Sequence, residues 1–268
     1  MSDDLWGEET ARQWEKFQPP SRPSKSELEV YERYIKKLPN DSVSMLMGST
    51  PEIRDMFAKE KKKVYVIDWS ESNYRALKTL MREKDTSNEV FLNQDWREMK
   101  FDFGFDFIIG DLALLVLNRV DSIKVMKNIA KCLKKDGKSI QRMWIRNHTK
   151  PYPLDDILEL YKNKPVNESL WSWLELPILF HDYDYDKEEF NAQHCYDIMQ
   201  EYVRQEKMPT DILETFEVFK YFNAPLNIPL KSEFEKSIGQ YFIAGKIECG
   251  KECFAENALI YLLKHSSY

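Results

Sequence analysis

The chain has 268 residues, 43% hydrophobic and 31% charged, with a formal net charge of -6. This length supports one large domain or a core with an elaboration, and the composition is that of a globular protein. The acidity argues against a nucleic-acid partner. No apolar run approaches the roughly 20 residues that span a bilayer. The acidic N-terminal residues lack the basic and apolar regions of a signal peptide, so a cytoplasmic protein without membrane association is expected.

Residues 1–24 are irregular and carry the Pro-rich run QPPSRPS, which reads as an arm. Ser26 and Glu29 are spaced as a capping box for a helix with Leu28, Tyr31, Ile35 and Leu38 on one face. An apolar run at 43–47 reads as a first strand and breaks at Gly48-Ser49-Thr50. A helix opens at Pro51, with Ser49 or Thr50 as its cap and Glu52 matched to its dipole. A second strand at 64–67 ends on Asp68. In a strand–turn–helix–strand unit, the first turn lets backbone approach a ligand, and an acid about 20 residues on accepts from ribose hydroxyls. Gly48 and Asp68 have that separation, so a ribose-bearing cofactor is expected.

The alternation continues. Ser70 caps a helix to about residue 84, residues 90–92 form a third strand, and 105–109 a fourth that ends in Gly110-Asp111. Residues 121–134 show helical spacing, and Asp136-Gly137 turns into a fifth strand at about 139–145. Such alternation implies a parallel sheet with helices on both faces and ligand at the carboxyl ends of the strands. Residues 150–235 break the rhythm with aromatic-rich helices, and 241–247 with 258–263 form a closing antiparallel hairpin. The expected organisation is an arm and helix at 1–40, a cofactor core at 41–149, a helical insertion at 150–235 and a terminal hairpin at 236–268. Cys132 and Cys195 fall in helical patterns as buried thiols. Cys249 and Cys253 make CGKEC, read as a turn with two free thiols. The histidines show no ligand spacing, so no metal is expected.

The order of these motifs resembles the class I S-adenosylmethionine-dependent methyltransferases. MLMGSTPE is similar to their first motif, VIDWS to the second-strand motif, LNQDWRE to the third, FDFIIGDLAL to the fourth and LKKDGKSIQR to the turn before strand five. The first loop departs from the family in having one glycine, Gly48, where members often have three. A dinucleotide fingerprint needs those further glycines for pyrophosphate approach and helix packing; S-adenosylmethionine has no pyrophosphate. The fourth motif is GDLAL and not the Asn-Pro-Pro-aromatic of enzymes acting on bases or glutamine amides. The resemblance implies a Rossmann-like three-layer α/β sandwich: a mostly parallel seven-stranded sheet ending in an antiparallel hairpin, with the insertion between strands five and six.

The resemblance also implies roles, each with a plainer alternative. Gly48, Ser49 and Thr50 face the methionine end of the cofactor. Asp68 holds the ribose or caps a helix; Asp95 meets the adenine amino group or forms a turn. Trp69 and Trp96 flank the adenine or belong to the core, and Asp111 approaches the sulfonium or caps the next segment. Arg142, inside a buried strand, needs a partner: either an acid or an anionic group of the substrate. Arg146 and His148 border the same space. Trp14 and Arg22 fold over the cofactor or tie the arm to the surface. No catalytic base is assigned; the candidates are His148, His181 and Asp111.

The expected activity is methyl transfer from S-adenosylmethionine to a small-molecule acceptor, with the insertion as acceptor pocket or lid. The alternatives are aminopropyl or carboxypropyl chemistry with the same cofactor, or a non-catalytic subunit that binds a partner through the aromatic segment.

Overall fold

The computed structural model describes residues 12–265. Seven strands form one sheet, in chain order β1 Ser44–Met47, β2 Val64–Asp68, β3 Glu89–Asn93, β4 Phe105–Asp111, β5 Leu133–Trp144, and the hairpin Phe242–Cys249 and Ala258–His265. Their spatial order is β3-β2-β1-β4-β5, then the last strand, then the one before it. The first five run parallel, and the hairpin closes the sheet antiparallel to β5. This is the expected mostly parallel sheet with a closing hairpin.

β1 is buried along its whole length because its alternate side chains enter two different cores. Met45 and Met47 pack on one face, whereas Leu46 joins Val30, Tyr31, Ile35, Ile53 and Phe57 of the helices on the other. Burial on both faces explains the unbroken apolar run of this strand. Helix α1 Lys25–Lys36 begins two residues earlier than expected. Its capping box uses Ser24 and Glu27, and the Ser26 hydroxyl instead donates to Glu252 in the hairpin turn at 2.8 and 2.7 Å. Helix α2 Pro51–Lys59 starts on Pro51 as expected, but neither Ser49 nor Thr50 caps it with a side chain.

β5 starts at Leu133, directly after helix α4 Arg119–Cys132, so Asp136-Gly137 lies within the strand rather than before it. Helix α3 Glu71–Lys78 is capped by the Ser70 hydroxyl and ends earlier than expected. Between β5 and the hairpin lie the helices Leu154–Lys162, Leu170–His181, Ala192–Arg204, Thr210–Thr215 and Lys231–Ile238. Two short strands, Phe190–Asn191 and Pro225–Leu226, pair antiparallel among them. Cys132 and Cys195 are buried free thiols, and Cys249 and Cys253 are exposed ones.

Candidate active site

The register brings three chain positions to one edge of the sheet. Met47 lies opposite Ile67 on one side and Gly110 on the other. The next residues, Gly48, Asp68 and Asp111, therefore stand together at the carboxyl ends of β1, β2 and β4. The chain crosses over here, with β1 central and its neighbours reached in opposite directions, which is where open α/β sheets bind ligands.

Gly48 has φ +83, a conformation that an L side chain rarely adopts. Its N–H donates to the Ile67 carbonyl at 2.9 Å, and the Trp96 indole donates to the same oxygen at 2.8 Å. The turn is thus pinned to the end of β2 with a tryptophan beside it. Leu112, just after β4, has φ 54. A non-glycine residue in that region carries backbone strain of a kind concentrated at functional sites.

Asp68 is 2% exposed. Its carboxylate accepts from the Ser49 hydroxyl at 2.7 Å, the Ser70 N–H at 3.0 Å and the Asn73 amide at 3.2 Å. Burial pushes its pKa above the ordinary value, against the pull of these donors. A carboxylate has about four lone-pair positions, so one is left beyond these three bonds, and rotation of Ser49 releases a second. Ser49 is therefore tied to Asp68 and not to the helix it precedes.

A cavity opens against this edge, lined by Gly48, Ser49, Thr50, Asp68, Trp69, Trp96 and Asp111 from the core. Leu179, Phe190, Ala192, Phe219, Phe222 and Leu226 of the insertion form the facing wall. The arm closes a third side with Trp14, Phe17 and Ser21. Glu52 holds that arm, accepting from the Trp14 indole at 3.3 Å and from Arg22 Nε at 3.0 Å. Trp14 lines this space and Arg22 does not; both tie the arm to Glu52 of α2.

Glu175, on helix Leu170–His181, also lines the cavity and is 0% exposed. It accepts from the Trp171 indole at 2.7 Å and from the Ser21 N–H at 3.3 Å, and the Ser21 hydroxyl is hydrogen-bonded to it as well. Burial pushes this carboxyl up to about 8, although those donors and the nearby Arg142 act to lower it. The folded protein therefore keeps a proton that the unfolded chain releases above its ordinary value of 4.5. The contribution of Glu175 to stability is complete below that value and declines as pH rises through about 8. Glu175→Gln, which keeps the shape and stays neutral, is expected to gain melting temperature relative to the parent between about pH 6 and about pH 8. Thermal melts of the two proteins across that range measure it, and a constant difference would mean that the carboxyl does not titrate there.

Several expected site residues lie elsewhere. Asp95 does not line the cavity; Arg97, two residues on, wraps it through Nε at 3.0 and 2.9 Å and Nη2 at 2.6 Å, and holds its pKa low. Arg142 is fully buried, with Nε on Asp111 at 2.5 Å and Nη1 on the Pro20 carbonyl at 2.8 Å and on Glu27 at 3.4 Å. It does not line the cavity, so the substrate-gripping role gives way to an internal counter-charge. Arg146 is buried as well, donating to the carbonyls of Ile228 at 2.9 Å and His148 at 3.1 Å beneath Tyr183 and Tyr185.

His148 meets the Lys150 carbonyl and Tyr185, and His181 meets the Tyr152 carbonyl and Tyr202. Neither histidine lines the cavity, which removes both as candidate bases there. Asp111 does line it, but its Oδ1 is engaged by Arg142 and by Tyr31 at 3.0 Å.

Glu175, Ser21, Asn73 and Leu112 were not singled out by sequence reasoning. One signal was available for Glu175: it is the single acid in the run LWSWLELPILF, and glutamate is almost never fully buried without partners. Among the described residues, no three His, Cys, Asp or Glu side chains converge as a metal site.

No protein-family model and no curated protein sequence matches the chain. Solved structures do. The CcbJ methyltransferase of Streptomyces caelestis is similar with a TM-score of 0.63 at 8% identity, covering 100% of both chains. A Rhodobacter sphaeroides protein assigned as a zinc-dependent alcohol dehydrogenase gives a TM-score of 0.62 at 13% identity, over 98% of each chain. The 1,6-didemethyltoxoflavin-N1-methyltransferase of Burkholderia thailandensis, with bound 1,6-didemethyltoxoflavin and S-adenosylhomocysteine, gives 0.53 at 10% identity over 90% of this chain and 78% of that one. These neighbours share with the chain a Rossmann-like α/β fold, and two of the three are methyltransferases by name. At these identities the likeness is one of fold.

Proposed function

We propose that the chain is an S-adenosylmethionine-dependent methyltransferase acting on a small organic molecule. One observation carries this reading: the Gly48 turn, Asp68 and Asp111 front a single cavity at the crossover of a methyltransferase-type sheet, and an apolar insertion covers it. The charge of the cavity fits the cofactor. Asp68, Asp111 and Glu175 line it, and no lysine, arginine or histidine is among the described lining residues. With no basic side chain in the described lining, Asp68, whose hydrogen bonds all come from neutral donors, favours a ligand bearing a sulfonium and an ammonium. Asp111 is already paired with Arg142.

S-adenosylmethionine supplies an electrophilic methyl group when bound. The chain supplies the rest: the backbone of Gly48, Ser49 and Thr50 lets the methionine end approach, Asp68 accepts from the ribose hydroxyls, and Trp69 and Trp96 flank the adenine. Asp95 is not retained in this set, because Arg97 occupies its carboxylate. The walls exclude water and align the acceptor, which is most of what such a displacement requires.

S-adenosylhomocysteine is expected to raise the melting temperature, with about 2.7 kcal/mol of stabilisation at a hundredfold excess over its Kd. NAD is expected to leave it unchanged. Calorimetry showing NAD binding without binding of the adenosyl ligand would overturn the reading. Product analysis with cofactor labelled separately in methyl and propyl groups distinguishes methyl transfer from aminopropyl or carboxypropyl chemistry.

A further inference from the structure

We propose that Glu175 is the acceptor-binding carboxylate of this cavity and that the acceptor is a small hydrophobic amine, held as an ammonium whose proton Glu175 takes. The substrate class rests on the methyltransferase reading; the binding site for an amine does not.

The insertion builds the wall of the cavity that faces the cofactor edge. Its lining side chains are apolar, with Phe190, Phe219 and Phe222 prominent, and Glu175 is the one ionisable group among them. An apolar, aromatic chamber with one buried carboxyl recognises a molecule with a hydrocarbon body and one cationic group. An anionic acceptor is opposed by the charge of Asp68 and finds no lysine, arginine or histidine among the described lining residues; neither Arg142 nor Arg146 lines the space. Arg142 is held by Asp111, Glu27 and the Pro20 carbonyl; Arg146 by the carbonyls of Ile228 and His148.

The groups packed around Glu175 fix how it works. Ser21 of the arm and Trp171 of its own helix donate to it, and Arg142 of β5 acts on it through space. The charge of that arginine is offset by Asp111 of β4 and Glu27 of α1. Burial outweighs these donors and the arginine and pushes the carboxyl up to about 8, so Glu175 keeps its proton near neutrality and gives it up when an ammonium arrives. Within the bound pair, an N–H bond of the ammonium breaks and an O–H bond forms on Glu175, and the electron pair stays on nitrogen. The neutral amine then has a lone pair available for alkylation, which an ammonium lacks.

Binding of the ammonium form near neutral pH accordingly releases about one proton to solvent, since the pair shares one proton where the separated groups held two. Calorimetry of phenethylamine, benzylamine and tryptamine, each in two buffers of different ionisation enthalpy, reads this count. It is run on the full chain with and without S-adenosylhomocysteine, and phenylacetate is the anionic control.

The expected result is amine binding with proton release, no phenylacetate binding, and an amine affinity at least about tenfold lower in Glu175→Gln, a change of about 1.4 kcal/mol. Glu175→Asp keeps an ionisable carboxyl and is expected to retain proton release. S-adenosylhomocysteine affinity is expected to be unchanged in Glu175→Gln; a fall would place the carboxyl on the amino group of the cofactor and overturn the assignment. Failure of every amine to bind, equal binding of phenylacetate, or an unchanged proton count in a folded Glu175→Gln would also overturn it. If S-adenosylhomocysteine fails to bind while the amines still bind through Glu175, the methyltransferase reading falls and the amine site stands.

Discussion

Arg142→Met is expected to cost about 3–5 kcal/mol of stability, the scale for a buried ion pair that loses one partner. For a chain of this size that is a fall of about 10 °C in melting temperature. The cause is what the substitution leaves behind. Asp111 and Glu27 both face Arg142 with side chains 2% and 0% exposed, and Glu27 is also the capping residue of α1. Methionine fills much of the volume but offers neither carboxylate a proton. The Pro20 carbonyl loses its donor too, so the arm that closes the cavity loosens with the core. Neutralising a stranded carboxylate is expected to recover part of the loss, so Arg142→Met with Asp111→Asn should melt above Arg142→Met alone. Such coupling between residues in contact is what a double-mutant cycle measures. Urea and thermal melts of the parent, both single variants and the double variant check this. A parent-like melting temperature for Arg142→Met would return the arginine to the substrate.

The sheet and its switch edge are legible in the sequence because their signals are local. The apolar run at 43–47, the Gly48 turn and Asp68 after the second strand each declare themselves within a few residues, and the parallel register then carries them to one edge. The cap of α1 was misplaced by one pair because Ser24 and Ser26 both precede a glutamate at capping distance. Only the tertiary contact of Ser26 with Glu252 decides between them.

The site was less legible wherever a partner is remote or unexpected. Asp95 sits in the right motif, but Arg97 claims it, a local competition that motif order does not show. Arg142 is an arginine in a buried strand, and its need for a partner was evident. That the partners are Asp111, Glu27 and the carbonyl of Pro20 depends on three elements far apart in the chain. Glu175 faces the cavity only because its helix packs over the sheet edge, a placement that periodicity does not encode. The helix is apolar on all sides, so its sequence gives no face to read.

Asp68→Ala is expected to lower the affinity for S-adenosylhomocysteine at least about tenfold, because charge-assisted hydrogen bonds contribute roughly 1.5–3 kcal/mol each and a decade in Kd is about 1.4 kcal/mol. The net effect is held to this scale because Asp68 is not free in the protein. Ser49, Ser70 and Asn73 already donate to it, and a ribose would replace one or more of these donors instead of meeting a bare carboxylate. The same bonds mean that the alanine variant also loses local order, since the Ser70 N–H at the start of α3 depends on Asp68. Asp68→Asn separates the two effects: its amide oxygen can still accept from Ser70, while the charge that strengthens a hydroxyl's hydrogen bond is gone. The expected order of affinity is parent, then asparagine, then alanine, with the asparagine variant melting close to the parent. Calorimetric titration of folded protein gives the three constants. If both variants bind as tightly as the parent and only their melting temperatures fall, Asp68 is a turn-holding residue and the ribose lies elsewhere.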